Sequence, residues 1–150
     1  MCKAIYLDLD GTIADLYSVQ DWEPKLRAYD PSPYSEAKPM YNMRILNTIL
    51  EEIAAKGITI GVISWLAMGS TKEYDKQVRK AKKDWIAQHL PVATEIHLIK
   101  YGYSKKKTAK IKDAILIDDN ADVRAAWKGD TVDATENILH TLIKILEEVS

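Results

Sequence analysis

The spacing of apolar residues switches repeatedly between strand-like and helix-like along the chain. Ala4–Leu9 is a short β-rich run that ends on acidic residues and Gly11. Between Tyr41 and Lys56, residues Ile45, Leu46, Ile49, Leu50 and Ile53 recur at helical spacing, and Gly57 follows as a C-terminal stop. Ile58–Ile63 is almost wholly apolar and β-branched, which predicts a strand buried on both faces. Lys72–Leu90 reads as an amphipathic helix, with Tyr74, Val78, Ala81 and Trp85 on one side and Pro91 closing it. Two more short strands are expected at Glu95–Ile99 and Ala114–Ile117, and two more helices at Asp122–Lys128 and Glu136–Val149.

Strands separated by helix-length connections predict an α/β fold, a Rossmann-like parallel sheet with helices on both faces. Asp15–Pro39 breaks the pattern. It holds Pro24, Pro31, Pro33 and Pro39 together with Trp22, Tyr29 and Tyr34, and it shows no steady period. The stretch is too long for a simple βα loop. It reads as a small cap-like insertion at about residues 15–40, lying over the carboxyl edge of the sheet, where open α/β folds bind ligands. The 150 residues otherwise suit a single domain.

Composition narrows this picture only slightly. Apolar residues make up 47% and charged residues 29%, which excludes a disordered or collagen-like chain. The 21 basic and 22 acidic residues nearly cancel, so net charge does not point to a nucleic-acid or membrane partner. No apolar run approaches the ~20 residues needed to span a bilayer. Asp8 and Asp10 interrupt the only early apolar stretch, so no signal peptide is expected. Cys2, the single cysteine, excludes an internal disulfide and a cysteine-built zinc site. It suits a reducing compartment, and a cytoplasmic protein is expected.

The chemistry lies at two strand ends. Asp8-Leu9-Asp10-Gly11-Thr12 closes the first strand, and alternation puts Asp8 and Asp10 on one side. Apposed carboxylates repel and titrate as a pair, an arrangement that a divalent cation stabilises. Gly11 permits a sharp departure from the strand. Average residue usage puts a chance match to this motif in a chain of this length at roughly one in a thousand. Asp118-Asp119-Asn120 follows Ala114–Ile117, and taken alone it fits a helix N-cap as well as a ligand site. Adjacent parallel strands end at the same edge, so both acidic clusters can converge on one cation, and such oxygen ligands favour Mg2+.

These residues resemble the haloacid dehalogenase-like (HAD) hydrolase superfamily. Its pattern is Asp-x-Asp-Gly-Thr after a strand, a Ser or Thr after a second strand, a Lys, and an acidic pair after a further strand. Here the matching elements are Asp8–Thr12, Ser64 in Gly61-Val62-Ile63-Ser64-Trp65, a lysine within Lys105–Lys107, and Asp118-Asp119. The resemblance implies a magnesium-dependent phosphatase in which Asp8 attacks phosphorus and Asp10 serves as acid and then base. Asp10 also argues against dehalogenation, since dehalogenating relatives lack it. Ser64 and a lysine would neutralise the transferring phosphoryl group. The metal set implied is Asp8, the main-chain carbonyl of Asp10, Asp119 in the inner shell, and Asp118 in the inner or outer shell.

Residues 100–112 hold six lysines and no acid, and for most of them a solvated basic face is the plain expectation. Lys107 lies eleven positions before Asp118, close to the spacing in the deoxyribonucleotidase branch, while Lys105 and Lys106 remain open. Lys80-Ala81-Lys82-Lys83-Asp84-Trp85 is similar to the helix after the second motif in that branch. Ser32-Pro33-Tyr34, Pro39-Met40, the Ile60–Ser64 strand and Trp127 are similar to the phosphatase half of polynucleotide kinase–phosphatases. The substrate class implied is a phosphorylated small molecule, a nucleotide first, with a polynucleotide 3′-phosphate as the alternative. Trp22, Tyr29 and Tyr34 are either packing under a long loop or a stacking surface for a base. His89, His97 and His140 show no metal-ligand spacing and read as structural or surface residues. A non-enzymatic phosphorylatable switch is disfavoured by motif order, because receiver domains carry their acidic pair early and their phosphorylated Asp on a later strand.

Overall fold

Five parallel strands form one sheet in the computed structural model, which describes residues 2–150. The first half of the chain runs β1 (Ala4–Leu7), β2 (Ala14–Asp15), a 3-10 turn, α1 (Trp22–Arg27), α2 (Ser32–Glu36), β3 (Lys38–Pro39) and α3 (Met43–Ala54). The second half runs β4 (Thr59–Trp65), α4 (Lys72–His89), β5 (Glu95–Ile99), α5 (Lys105–Thr108), β6 (Ala114–Asp118), α6 (Ala121–Trp127), β7 (Thr131–Asp133) and α7 (Ile138–Val149). The sheet order is β5-β4-β1-β6-β7, and every neighbouring pair is parallel. The chain winds outward from β1 through β4 to β5, then returns to the other side of β1 for β6 and β7. This reversal leaves a crevice beside the carboxyl ends of β1 and β6, where connections diverge and ligands are usually bound.

The fold is Rossmann-like α/β, as the alternation of periods predicts. All four residues of β1 are fully buried and serve both faces in turn. Ile5 and Leu7 join Ile60, Val62 and the apolar stripes of α3, α4 and α7 in the larger core. Ala4 and Tyr6 join Ile63, Leu116, Val123 and Trp127 on the thinner face under α6. Gly61 makes room there. A Cβ at this position would stand 2.7 Å from the Tyr6 ring, which packs edge-on against Trp127 with centroids 6.1 Å apart.

Three features escape the sequence pattern. β7 is only three residues long and is recruited by pairing with β6. The 15–40 insertion contains α1 and α2, each under two turns, too short for a helical period to repeat. β2 and β3 pair antiparallel at the base of this insertion, Ala14 opposite Pro39 and Asp15 opposite Lys38. Helix α4 fastens the insertion through two main-chain acceptors. The Tyr74 hydroxyl donates to the Asp30 carbonyl at 2.9 Å, and the Trp85 indole N–H donates to the Ala37 carbonyl at 2.7 Å. Among the described residues, no helix is long and apolar enough to cross a membrane.

Candidate functional site

Asp8 leaves β1 while its backbone is still in the sheet, its N–H donating to the Ile117 carbonyl at 3.0 Å. The chain then folds back at once. The N–H groups of Thr12, Ile13 and Ala14 all donate to the Leu9 carbonyl, and Gly11 takes the left-handed conformation at φ 79°. Gly11 is needed for space as well, since a Cβ there would lie 2.4 Å from Asp119 Oδ2. The turn aims the Thr12 hydroxyl at Asp119 Oδ1, 3.2 Å away. Thr12 is thereby buried between the two strand ends and helps hold them together.

At the end of β6, Asp118 is buried with its backbone carbonyl held by Arg124 Nη1 at 3.0 Å. Lys105 joins the two strands. Its Nζ donates to Asp8 Oδ1 at 3.0 Å and to Asp118 Oδ2 at 2.7 Å, and the residue is only 5% exposed. The spacing argument favours Lys107, and the structure corrects it. Lys107 is exposed, and its backbone N–H donates to the Ser104 hydroxyl that caps α5. One turn of helix turns successive side chains by about 100°, so with Lys105 facing the carboxylates Lys107 points away. Lys106 is also accounted for, with Nζ donating to the Lys112 carbonyl and lying 4.8 Å above the Trp127 ring centroid.

Ser64 is 1% exposed at the end of β4. Beside it stands a residue that sequence reasoning missed as part of the site, Lys82 of α4. Its Nζ lies 2.8 Å from Asp10 Oδ2, 2.8 Å from Ser64 Oγ and 2.6 Å from the Trp65 carbonyl oxygen. A signal was present, because Val78, Lys82 and Trp85 follow the buried stripe of α4, and a lysine on such a stripe calls for a partner. The Asp10 carboxylate therefore turns to Lys82, whereas the carboxylate oxygens of Asp8, Asp118 and Asp119 come within 4.8 Å of one another.

The electrostatics are unbalanced in one direction. Asp8, Asp10, Asp118 and Asp119 face two ammonium groups, Lys82 and Lys105, so full ionisation leaves two negative charges uncompensated. Burial, with the charges of Asp8 and Asp118, pushes the Asp119 carboxyl up to about 7. Burial and the neighbouring Asp8 likewise raise Asp118. Burial raises Asp10 despite its pairing with Lys82. Burial works against the Lys105 ammonium, but Asp8 and Asp118 outweigh it and hold the group above its ordinary range. A divalent cation among Asp8, Asp118 and Asp119 would neutralise the excess, and three hard carboxylate oxygens are suitable donors for one.

The cluster floors a cleft of about 570 Å3. Trp22, Tyr29 and Tyr34 of the insertion all line it, as do Trp65 and Tyr101. Trp65 and Tyr101 pack with ring centroids 4.9 Å apart and form a ridge shared with a second groove of about 400 Å3 running past Tyr103 and Lys106. The histidines lie elsewhere: His89 packs on Trp85, His97 pairs with Glu95 at 2.7 Å, and His140 is exposed. No protein-family model matches the chain, and a search of curated proteins finds no match.

Proposed function

We propose that this protein is a magnesium-dependent phosphomonoester phosphatase of the haloacid dehalogenase type. One observation carries the reading: the Asp8 carboxylate stands at the sheet's switch point with Lys105, Asp118 and Asp119 around it and Asp10 two residues on. The order of these residues along the chain supports the same family resemblance. Asp8, Asp118 and Asp119, with the main-chain carbonyl of Asp10, would hold Mg2+. The chemistry supplied by the bound cation is charge neutralisation at the phosphoryl oxygens.

In the first step an Asp8 oxygen attacks phosphorus, the bond to the leaving oxygen breaks, and Asp10 gives that oxygen its proton. In the second, water attacks the aspartyl-phosphate, Asp10 takes the water's proton, and inorganic phosphate leaves with Asp8 restored. Lys105 and the Ser64 hydroxyl would stabilise the charge that spreads over the phosphoryl oxygens. The aromatic walls of the cleft favour a nucleotide, whose base would stack among Trp22, Tyr29 and the Trp65–Tyr101 ridge. The adjoining groove, with Tyr103 exposed beside Lys106, favours a second reading in which the substrate is a phosphorylated nucleic-acid end.

The test is a panel of nucleotides, sugar phosphates and 3′-phosphorylated oligonucleotides assayed with magnesium. Release of phosphate is expected, and Asp8→Asn should lower turnover by several orders of magnitude while keeping the fold. Turnover by Asp8→Asn near the wild-type rate would overturn the mechanism.

A further inference from the structure

Lys82 is 2% exposed, and its stem runs through the apolar face of α4 to reach the site from the side opposite Lys105. An ammonium group has three N–H donors. All three have acceptors here: Asp10 Oδ2, Ser64 Oγ and the Trp65 carbonyl oxygen. The Tyr34 ring of the insertion covers the same nitrogen, with its centroid 4.9 Å away. No donor is left for a substrate, so whatever Lys82 contributes passes through the groups it holds.

Two of those groups, the Ser64 hydroxyl and the Asp10 carboxylate, keep hydrogen-bonding capacity for the cleft. Ser64 spends a lone pair on Lys82, and among the described residues its own O–H has no protein acceptor. Asp10 is held through Oδ2, which leaves Oδ1 unbonded by Lys82. Both residues line the cleft above Asp8. We propose that Lys82 is a positioning residue that sets two catalytic groups at once, the Asp10 carboxyl toward the leaving-group oxygen and the Ser64 hydroxyl toward the phosphoryl group. The proposal rests on the phosphatase reading. It explains why a buried lysine sits on a helix whose other inward residues are apolar, aromatic or small, save Asp75. It also makes α4 the element that ties insertion, nucleophile turn and β4 into one frame.

The distinguishing readout is dependence on the leaving group. A p-nitrophenyl ester departs with little help from an acid, whereas an alkyl phosphomonoester needs its oxygen protonated, help worth about 10²–10⁴-fold. Lys82→Met, Lys82→Arg and Asp10→Asn are assayed with magnesium on p-nitrophenyl phosphate and on an alkyl phosphate, with thermal melts alongside. Lys82→Met should lower kcat on the alkyl ester at least tenfold more than on the aryl ester, with KM changing less than kcat. Lys82→Arg keeps the charge but cannot direct three donors from one atom, so it should show the same selective loss. Adding Lys82→Met to Asp10→Asn should not change the alkyl-to-aryl ratio further. If Lys82→Met does not fold, Lys82→Arg decides. Equal losses on both esters would overturn the positioning role and leave the phosphatase reading standing. A wild-type protein silent on both esters, with the rest of the panel also unturned, would sink that reading and this proposal with it.

Discussion

Replacing Lys105 by methionine keeps the length of the side chain and removes the cation between two buried carboxylates. Asp8 Oδ1 at 3.0 Å and Asp118 Oδ2 at 2.7 Å both lose their partner, and the lysine side chain they lose is only 4% exposed. Breaking a buried pair from one side costs about 3–5 kcal/mol, because the remaining charge stays out of water. For a chain of this size each kcal/mol moves Tm by about 2–4 °C, so the metal-free variant should melt about 6–20 °C lower at pH 7.5. Burial and the neighbouring Asp8 raise Asp118, and protonating Asp118 relieves the repulsion, so the deficit should be smaller at pH 5.5. On the rate, if Lys105 stabilises the phosphoryl group as proposed, its loss is worth about 10²–10³ in kcat. Lys107→Met is the control: its side chain is exposed, and its effect should stay within about 0.5 kcal/mol. Melts by circular dichroism at the two pH values, with turnover under magnesium, make the comparison. A Lys105→Met protein as stable and as fast as wild type, or a Lys107→Met protein that loses turnover, would refute the reasoning.

Two further outcomes follow from the acidic cluster. Asp119 is raised from 3.8 to about 7 in the folded, metal-free protein, so between those values the native state holds a proton that the unfolded chain does not. Its contribution to stability is therefore fully present below about pH 4 and is lost as pH rises through about 7, which predicts metal-free melts that fall toward neutral pH. Saturating Mg2+ should flatten that dependence, and a metal-free melting temperature that rises from pH 5.5 to 7.5 would contradict the cluster's electrostatics. Gly11→Ala should cost more than the usual glycine-to-alanine change, since the new methyl meets both a left-handed backbone and Asp119 Oδ2 at 2.4 Å. Expected are a loss of about 1–3 kcal/mol in denaturant melts and weaker Mg2+ binding by titration calorimetry, and an unaltered affinity would show that the turn does not set the Asp119 position.

Much of this was legible because the informative residues lie together in the chain. Asp8, Asp10, Gly11 and Thr12 follow one strand without interruption, so their order alone puts them at its carboxyl end, although Asp10, past the end of β1, turns its carboxylate to Lys82. Asp118 and Asp119 are placed likewise at the end of β6, and Ser64 at that of β4. The lysines are different. Which of Lys105, Lys106 and Lys107 turns inward depends on the single turn of α5 and its Ser104 cap, and no period can repeat within four residues. Lys82 reaches Asp10 across 72 positions of sequence, and only the stripe of α4 hints at its burial. β7 has too few residues to show alternation, and the sheet's edge supplies what its own sequence lacks.

The two-residue ladder of β2 and β3 has a consequence for how this chain could diversify. It brings residues 14 and 39 to neighbouring-strand distance, about 4.8 Å between strands, so the scaffold meets the insertion as if it were one tight turn. The fastening bonds from Tyr74 and Trp85 end on backbone carbonyls, which a replacement segment of any sequence would also carry. Lengthening a loop whose ends are already fixed adds only about 0.6 kcal/mol per doubling. The cleft wall is thus a part that can vary: an enlarged segment grafted between residues 15 and 38 that keeps the core positions of Leu16, Tyr34 and Ala37 would change what fits above the carboxylates without re-engineering the sheet that holds them.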